Sequence, residues 1–168
     1  MFILQAKSNY NKKLLCAGFT LVETLVSLVL LSMAIIPPLI LSTRAVNIAY
    51  DVRDTLTASG LAQEGIEVVR AMRDTNWFND LEFDNGLTDG SYRVEWDSVS
   101  LLPLSGNPVL NLNNGLYTYS GGNGTIFSRA LTITKINGGE LRIVSQVNWA
   151  DKGVTKNVQA EEHLFNWK

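Results

Sequence analysis

Residues 17–41 read A-G-F-T-L-V-E-T-L-V-S-L-V-L-L-S-M-A-I-I-P-P-L-I-L, apolar throughout but for hydroxyls and one carboxylate, Glu23. From Phe19 onward roughly 23 residues can cross a bilayer, because about 20 apolar residues at 1.5 Å rise match a hydrocarbon core about 30 Å thick. The stretch therefore predicts a transmembrane helix over residues 19–43. An ionised carboxylate near the start of such a helix costs about 3 kcal/mol unless it is paired. Two readings stand at this point: Glu23 lies at the interface and stays hydrated, or it has a partner that the membrane segment alone does not supply.

The flanks give the helix a direction and an unusual order. Lys12 and Lys13 precede it and only Arg44 follows it closely, so the positive-inside rule places the N-terminus in the cytoplasm and the bulk of the chain outside. An ordinary secretory signal is cut after its apolar region, whereas here the small-residue pair Ala17-Gly18 lies before it, so the helix is expected to stay in the mature protein. Gly18-Phe19-Thr20-Leu21-Val22-Glu23, following Lys12-Lys13 and opening a long apolar helix, closely resembles the class III signal of type IV pilins and type II secretion pseudopilins.

That resemblance implies a leader at residues 1–18, cut by prepilin peptidase after Gly18, with methylation of the new N-terminal residue Phe19. It also implies a role for Glu23, whose counterpart in the family pairs with the N-terminal amine of a neighbouring subunit as the filament assembles. The physics agrees, since an ammonium at Phe19 and a carboxylate four residues on each need a partner where the dielectric is low. The implied partners are prepilin peptidase, other pilin or pseudopilin subunits, the assembly platform of the inner membrane, and membrane lipid before assembly. The implied location is the cytoplasmic membrane, followed by a surface pilus or a periplasmic pseudopilus.

Composition narrows the remainder. Setting Lys7, Lys12 and Lys13 aside from the 14 basic residues leaves 11 against 16 acidic ones, a formal charge of −5 on the mature chain. No basic stripe for nucleic acid is present. The only cysteine, Cys16, falls in the leader, so no intrachain disulfide is expected and the C-terminal region must be held by sheet pairing and packing. No cofactor is implied, and no nucleophile with its base, carboxylate pair or metal cluster can be assembled into an enzyme site. His163, the only histidine, is read as a surface residue beside Glu161 and Glu162, and Trp77, Trp96, Trp149 and Trp167 as core and rim packing.

Further along, Pro37 and Pro38 predict a break in the apolar helix, either a static kink or a short melted segment, because each removes a backbone donor. Residues 44–73 continue as an amphipathic helix, with Ala49, Val52, Leu56, Ser59, Ala62, Ile66, Val69 and Met72 spaced at threes and fours. Gly60 and Gly65 in this helix suggest close approach of a sheet or a neighbouring subunit. Glu64, Glu67, Arg70 and Arg73 are read as a solvated or subunit-facing surface. An acidic loop over residues 74–90 follows, in which Asp80, Glu82 and Asp84 form a weak calcium pattern without the glycine and distal glutamate of an EF-hand.

Residues 91–168 are strand-like. Ser91 to Val99 alternates, with Tyr92, Val94 and Trp96 on one face. Asn113-Asn114-Gly115 is a hairpin signal between Val109–Leu112 and Leu116–Tyr119, and Ile126–Lys135, Glu140–Trp149 and Val154–Leu164 form a meander through short glycine turns. This C-terminal pattern is similar to minor pilins of the V type and to the I-type minor pseudopilin, while Glu23 argues against the K type, which usually lacks it. The fold class expected is α+β, a pilin fold with a long N-terminal helix packed on an antiparallel sheet. The expected function is that of a minor pilin or pseudopilin, with a pilus-displayed or membrane-anchored adhesin or DNA-uptake subunit as the alternative.

Overall fold

The computed structural model describes residues 18–167, so Lys12, Lys13 and Cys16 lie outside the described residues. A single helix, α1 (Leu21–Phe78), is followed by seven strands: β1 (Gly90–Arg93), β2 (Leu102–Pro103), β3 (Val109–Asn113), β4 (Leu116–Thr118), β5 (Asn123–Asn137), β6 (Glu140–Asp151) and β7 (Val154–Phe165). This is the expected α+β class. The chain divides into two compact units, Met1–Val46 and Asn47–Lys168.

In the first unit every described residue is exposed. Its helix is long and apolar enough to cross a membrane, and none of the apolar window is buried within the chain. Pro37 and Pro38 both lie inside α1, which is helical on either side of them, so no melted segment separates two helices. The prolines subtract only their own N–H donors, and the remaining hydrogen bonds of the turn carry the helix through.

In the second unit, α1 lays one face on the sheet from Ala58 onward. All strand pairs are antiparallel and β5 is the central strand, bordered by β6 on one edge and by β3 and β1 along the other. The meander β5-β6-β7 turns at Gly138-Gly139 and at Lys152-Gly153. The hairpin β3-β4 closes through Asn114 and Gly115 at φ 50° and 85°, the two left-handed positions that an Asn-Gly pair supplies.

Two apolar clusters hold helix to sheet. Ala58, Leu61 and Ala62 meet Leu110, Phe127, Val147 and Trp149. Farther along, Ile66, Val69, Met72 and Trp77 meet Leu131, Ile133, Leu141, Ile143 and Leu164, and the loop after the helix adds Phe83 and Leu87. Full burial of each of the Val, Leu, Ile, Phe and Met side chains among them contributes about 1.5–3 kcal/mol. Between the clusters in sequence, on helix and strands alike, lie Gly65, Arg129 and Ser145. A Cβ at Gly65 would come within 2.6 Å of Ser145 Oγ and 3.3 Å of Arg129 Cδ, so glycine is what lets the helix backbone meet the sheet here. The close approach expected at Gly65 is thus to the sheet, whereas Gly60 faces open space.

Three expectations are corrected. The first part of the amphipathic face is not covered within the chain, since Val52 and Leu56 are 52% and 67% exposed. The helix runs past Arg73 to Phe78 and ends in a Schellman cap, in which Leu81 N–H donates to Asn76 O at 2.9 Å and Asp80 N–H to Trp77 O at 3.2 Å. The strand expected over Ser91–Val99 stops at Arg93 because Glu95–Ser98 closes a turn, with Ser98 N–H donating to Glu95 O at 3.1 Å and Glu95 N–H to Ser98 Oγ at 2.7 Å. Trp96 therefore leaves the face of Tyr92 and Val94 and stands 50% exposed.

Candidate functional site

The segment singled out by sequence begins just outside the helix. Gly18, Phe19 and Thr20 are non-helical and exposed, so the Gly18–Phe19 peptide lies in open backbone just before the helix. Thr20 is the N-cap: its Oγ1 accepts from Glu23 N–H at 3.2 Å, satisfying one of the orphan donors of the first turn. The spacing Thr20-x-x-Glu23 is that of a capping box, a signal the sequence reading missed although it was present. Thr24 Oγ1 then donates to Leu21 O at 2.8 Å.

Glu23 occupies the first turn of α1, where the helix macrodipole favours a negative charge by about 0.3–1 kcal/mol. Its carboxylate is exposed and has no ion-pair or hydrogen-bond partner among the described residues. Leu21, Val22, Leu25 and Val26 surround it in sequence, all exposed. The arrangement can accept a proton donor or a cation from another molecule, and its apolar surroundings strengthen that attraction when water is excluded.

The four helix charges read as a solvated or subunit-facing surface are instead largely internal ties. Arg129, 1% exposed on β5, donates to Glu64 Oε1 at 2.9 Å, to Leu61 O at 2.8 Å and to Val94 O at 2.5 Å. Arg70 pairs with Glu162 on β7 and with Glu67 on its own helix, and the Glu162 carboxylate is the main reason its pKa is raised. Arg73 is buried, with its guanidinium 4.5 Å from the centre of the Trp77 ring and 2.8 Å from Asp74. Trp77 in turn meets Trp167 edge-on at 4.6 Å, so the chain end is tied to the helix without a disulfide. At the other end Lys156 pairs with Asp51 at 2.5 Å and Asp151 at 2.9 Å, which raises its pKa and lowers that of Asp151.

Asp80, Glu82 and Asp84 are not brought together as a calcium site. Asp80, at φ 55°, is the left-handed residue that ends α1. Asp84 is paired with Lys135 at 2.7 Å. No group of three or more His, Cys, Asp or Glu side chains converges among the described residues. His163 is exposed, with Nδ1 2.7 Å from Glu140 Oε1.

Compared with known proteins, residues 14–37 match the family described as the prokaryotic N-terminal methylation motif. No curated protein and no solved structure matches the chain. That motif stands at the head of an apolar helix whose later turns pack on an antiparallel sheet, the α+β arrangement expected of a pilin-like fold.

Proposed function

We propose that this chain is a minor pilin or pseudopilin, inserted as a single-pass precursor with its N-terminus in the cytoplasm and cut between Gly18 and Phe19. Phe19 is then methylated, and the chain is drawn by the inner-membrane assembly platform into a type IV pilus or a type II secretion pseudopilus. The observation that carries this reading is the methylation motif at residues 14–37, which spans that junction and Glu23. The apolar turns behind it bury nothing within their own chain, as suits a helix that exchanges lipid for neighbouring helices.

Glu23 is the residue proposed to select the neighbour. An unpaired carboxylate in hydrocarbon costs about 3 kcal/mol, and a Phe19 ammonium of the adjacent subunit removes that cost while fixing the axial step between subunits. Pro37 and Pro38 are the proposed weak point of the helix, because the carbonyls of Met33 and Ala34 lose their i+4 donors there. The minor role is supported by the resemblance of the last three strands to minor subunits.

The test is the intact mass and N-terminal sequence of the chain made with and without prepilin peptidase. A mature chain beginning at N-methyl-Phe19 is expected only with the peptidase; an uncut chain, or one cut elsewhere, overturns the proposal. Glu23→Ala is expected to be cleaved normally yet to enter filaments poorly, and normal incorporation would remove the pairing role. Quantitative mass spectrometry of sheared filaments is expected to find the chain far below the main subunit in abundance.

A further inference from the structure

One cleft in the second unit is left unexplained by filament assembly. It lies between the end of α1 and the segment after β1, holds about 500 Å³, and is lined among others by Thr75, Asn76, Asn85, Trp96, Asp97 and Ser100. That volume is within the range of small-ligand sites, about 300–1,000 Å³.

Both walls are fixed from behind. On one side Asn76 Nδ2 donates to Phe83 O at 3.2 Å and to Asn85 O at 2.8 Å, holding the loop against the helix. On the other, Trp96 and Asp97 are the two central residues of the Glu95–Ser98 turn. Glu95 Oε1 accepts from Tyr119 N–H at 2.9 Å, and the carbonyl of Val94 just before it takes the buried Arg129 guanidinium at 2.5 Å. A site held this way loses little freedom on binding.

We propose that this cleft binds a neutral sugar ring, with Trp96 as the stacking surface and Asp97 as the main hydrogen-bond acceptor. The half-exposed Trp96 ring offers a negative π-face to the polarised C–H groups on one side of a pyranose. Around it Asp97, Asn85 and Ser100 have side chains with no protein hydrogen-bond partner among the described residues, which suits a ligand edged with hydroxyls that donate and accept. Charge sets the class: no Lys, Arg or His lines the cleft and one carboxylate does, so phosphates, nucleic acids and anionic sugars are disfavoured. A cationic ligand is disfavoured too, because capture of an ammonium group by an aromatic cage needs several rings, and Trp96 is the single aromatic in the lining.

The test uses the full chain in detergent on an array of glycans ending in neutral galactose, glucose or N-acetylglucosamine, alongside sialylated and sulfated glycans and a lysine-rich peptide. Neutral glycans are expected to bind, with tryptophan fluorescence reporting the titration. Trp96→Ala is expected to weaken binding about tenfold or more, Asp97→Asn several-fold, and Trp167→Ala not at all. Trp96 is half exposed at a turn, so its variant keeps the fold, and Asp97→Asn offers a nearly isosteric second check. The proposal is overturned by absence of neutral-glycan binding, by binding that survives Trp96→Ala, or by preference for the charged glycans or the peptide. None of these outcomes bears on cleavage at Gly18, so this reading and the proposed function fail separately.

Discussion

Gly65→Ala is the substitution on which the helix-on-sheet packing can be tested most sharply. In a free helix the change would stabilise by about 1 kcal/mol. Here the new methyl would lie 2.6 Å from Ser145 Oγ and 3.3 Å from Arg129 Cδ, and neither atom can withdraw easily: Ser145 is fully buried and the Arg129 guanidinium is held by three acceptors. Overpacking of this kind costs about 1–3 kcal/mol, so the single variant should be less stable by about 1 kcal/mol net. Ser145→Ala removes the clashing oxygen, which has no hydrogen-bond partner of its own, and leaves the methyl 3.4 Å from the Cβ of residue 145 and still 3.3 Å from Arg129 Cδ, a tight contact but no longer a clash. The double variant should therefore recover the loss and regain part of the helix gain of about 1 kcal/mol, the rest being offset by the remaining contact with Arg129 Cδ. Thermal unfolding of the detergent-solubilised chain, followed by the circular dichroism of the sheet, reads such differences as about 4 °C per kcal/mol. If Gly65→Ala alone raises the midpoint, or if Ser145→Ala fails to rescue it, the close approach at Gly65 is not what fixes the helix to the sheet.

Three further outcomes follow from the ion pairs and the chain end. Glu64→Ala leaves the Arg129 guanidinium buried without a carboxylate, and should cost about 2 kcal/mol after allowance for the one-third exposure of Glu64; Arg129→Met in the same chain should then cost less than it does alone, by urea unfolding. Trp167→Ala should cost about 1 kcal/mol through loss of the edge-on contact with Trp77, seen as increased protease sensitivity of the C-terminal strand with the β5-β6 pair unaffected. Arg142 holds Glu161, and Lys156 holds Asp151, below their ordinary values of 4.5 and 3.8. Because the unfolded chain takes up these protons more readily, their contribution is present above those values and lost as pH falls below them; Arg142→Gln should flatten the decline in unfolding temperature as pH falls below the ordinary glutamate value of 4.5.

The parts of this fold that were legible in sequence are those specified by neighbours in the chain. The alternation in β6, the Asn-Gly pair at 114–115 and the glycine turns of the meander each depend on residues within a few positions, and each stands where it was read. The break after Arg93 was missed for a reason of the same scale. Tyr92, Val94 and Trp96 alternate as a strand would, but Ser98 supplies a side-chain acceptor to Glu95 N–H, and a local side-chain bond of this kind competes with the sheet ladder. The same competition sets the end of α1, where the left-handed Asp80 stops the helix in a place usually taken by glycine.

What could not be read are the roles of groups whose partners lie far off in the chain. Glu64 and Arg70 look like any solvated helix face until Arg129 and Glu162 arrive, 65 and 92 positions later. Periodicity could identify the buried stripe but could not say that a charged side chain would be drawn into it. Arg129 is tolerable there because the helix offers both a carbonyl and a carboxylate at one turn, Leu61 O and Glu64, while Gly65 admits the guanidinium stem beside the backbone. The same Arg129 also donates to Val94 O, just before the turn that carries Trp96 and Asp97, and so helps to set that turn. A residue whose type says only "surface" thus couples the helix–sheet contact to the cleft beyond it. Loss of Glu64 should consequently be felt at Trp96 as well as in global stability, as a change in Trp96 fluorescence that appears below the unfolding transition.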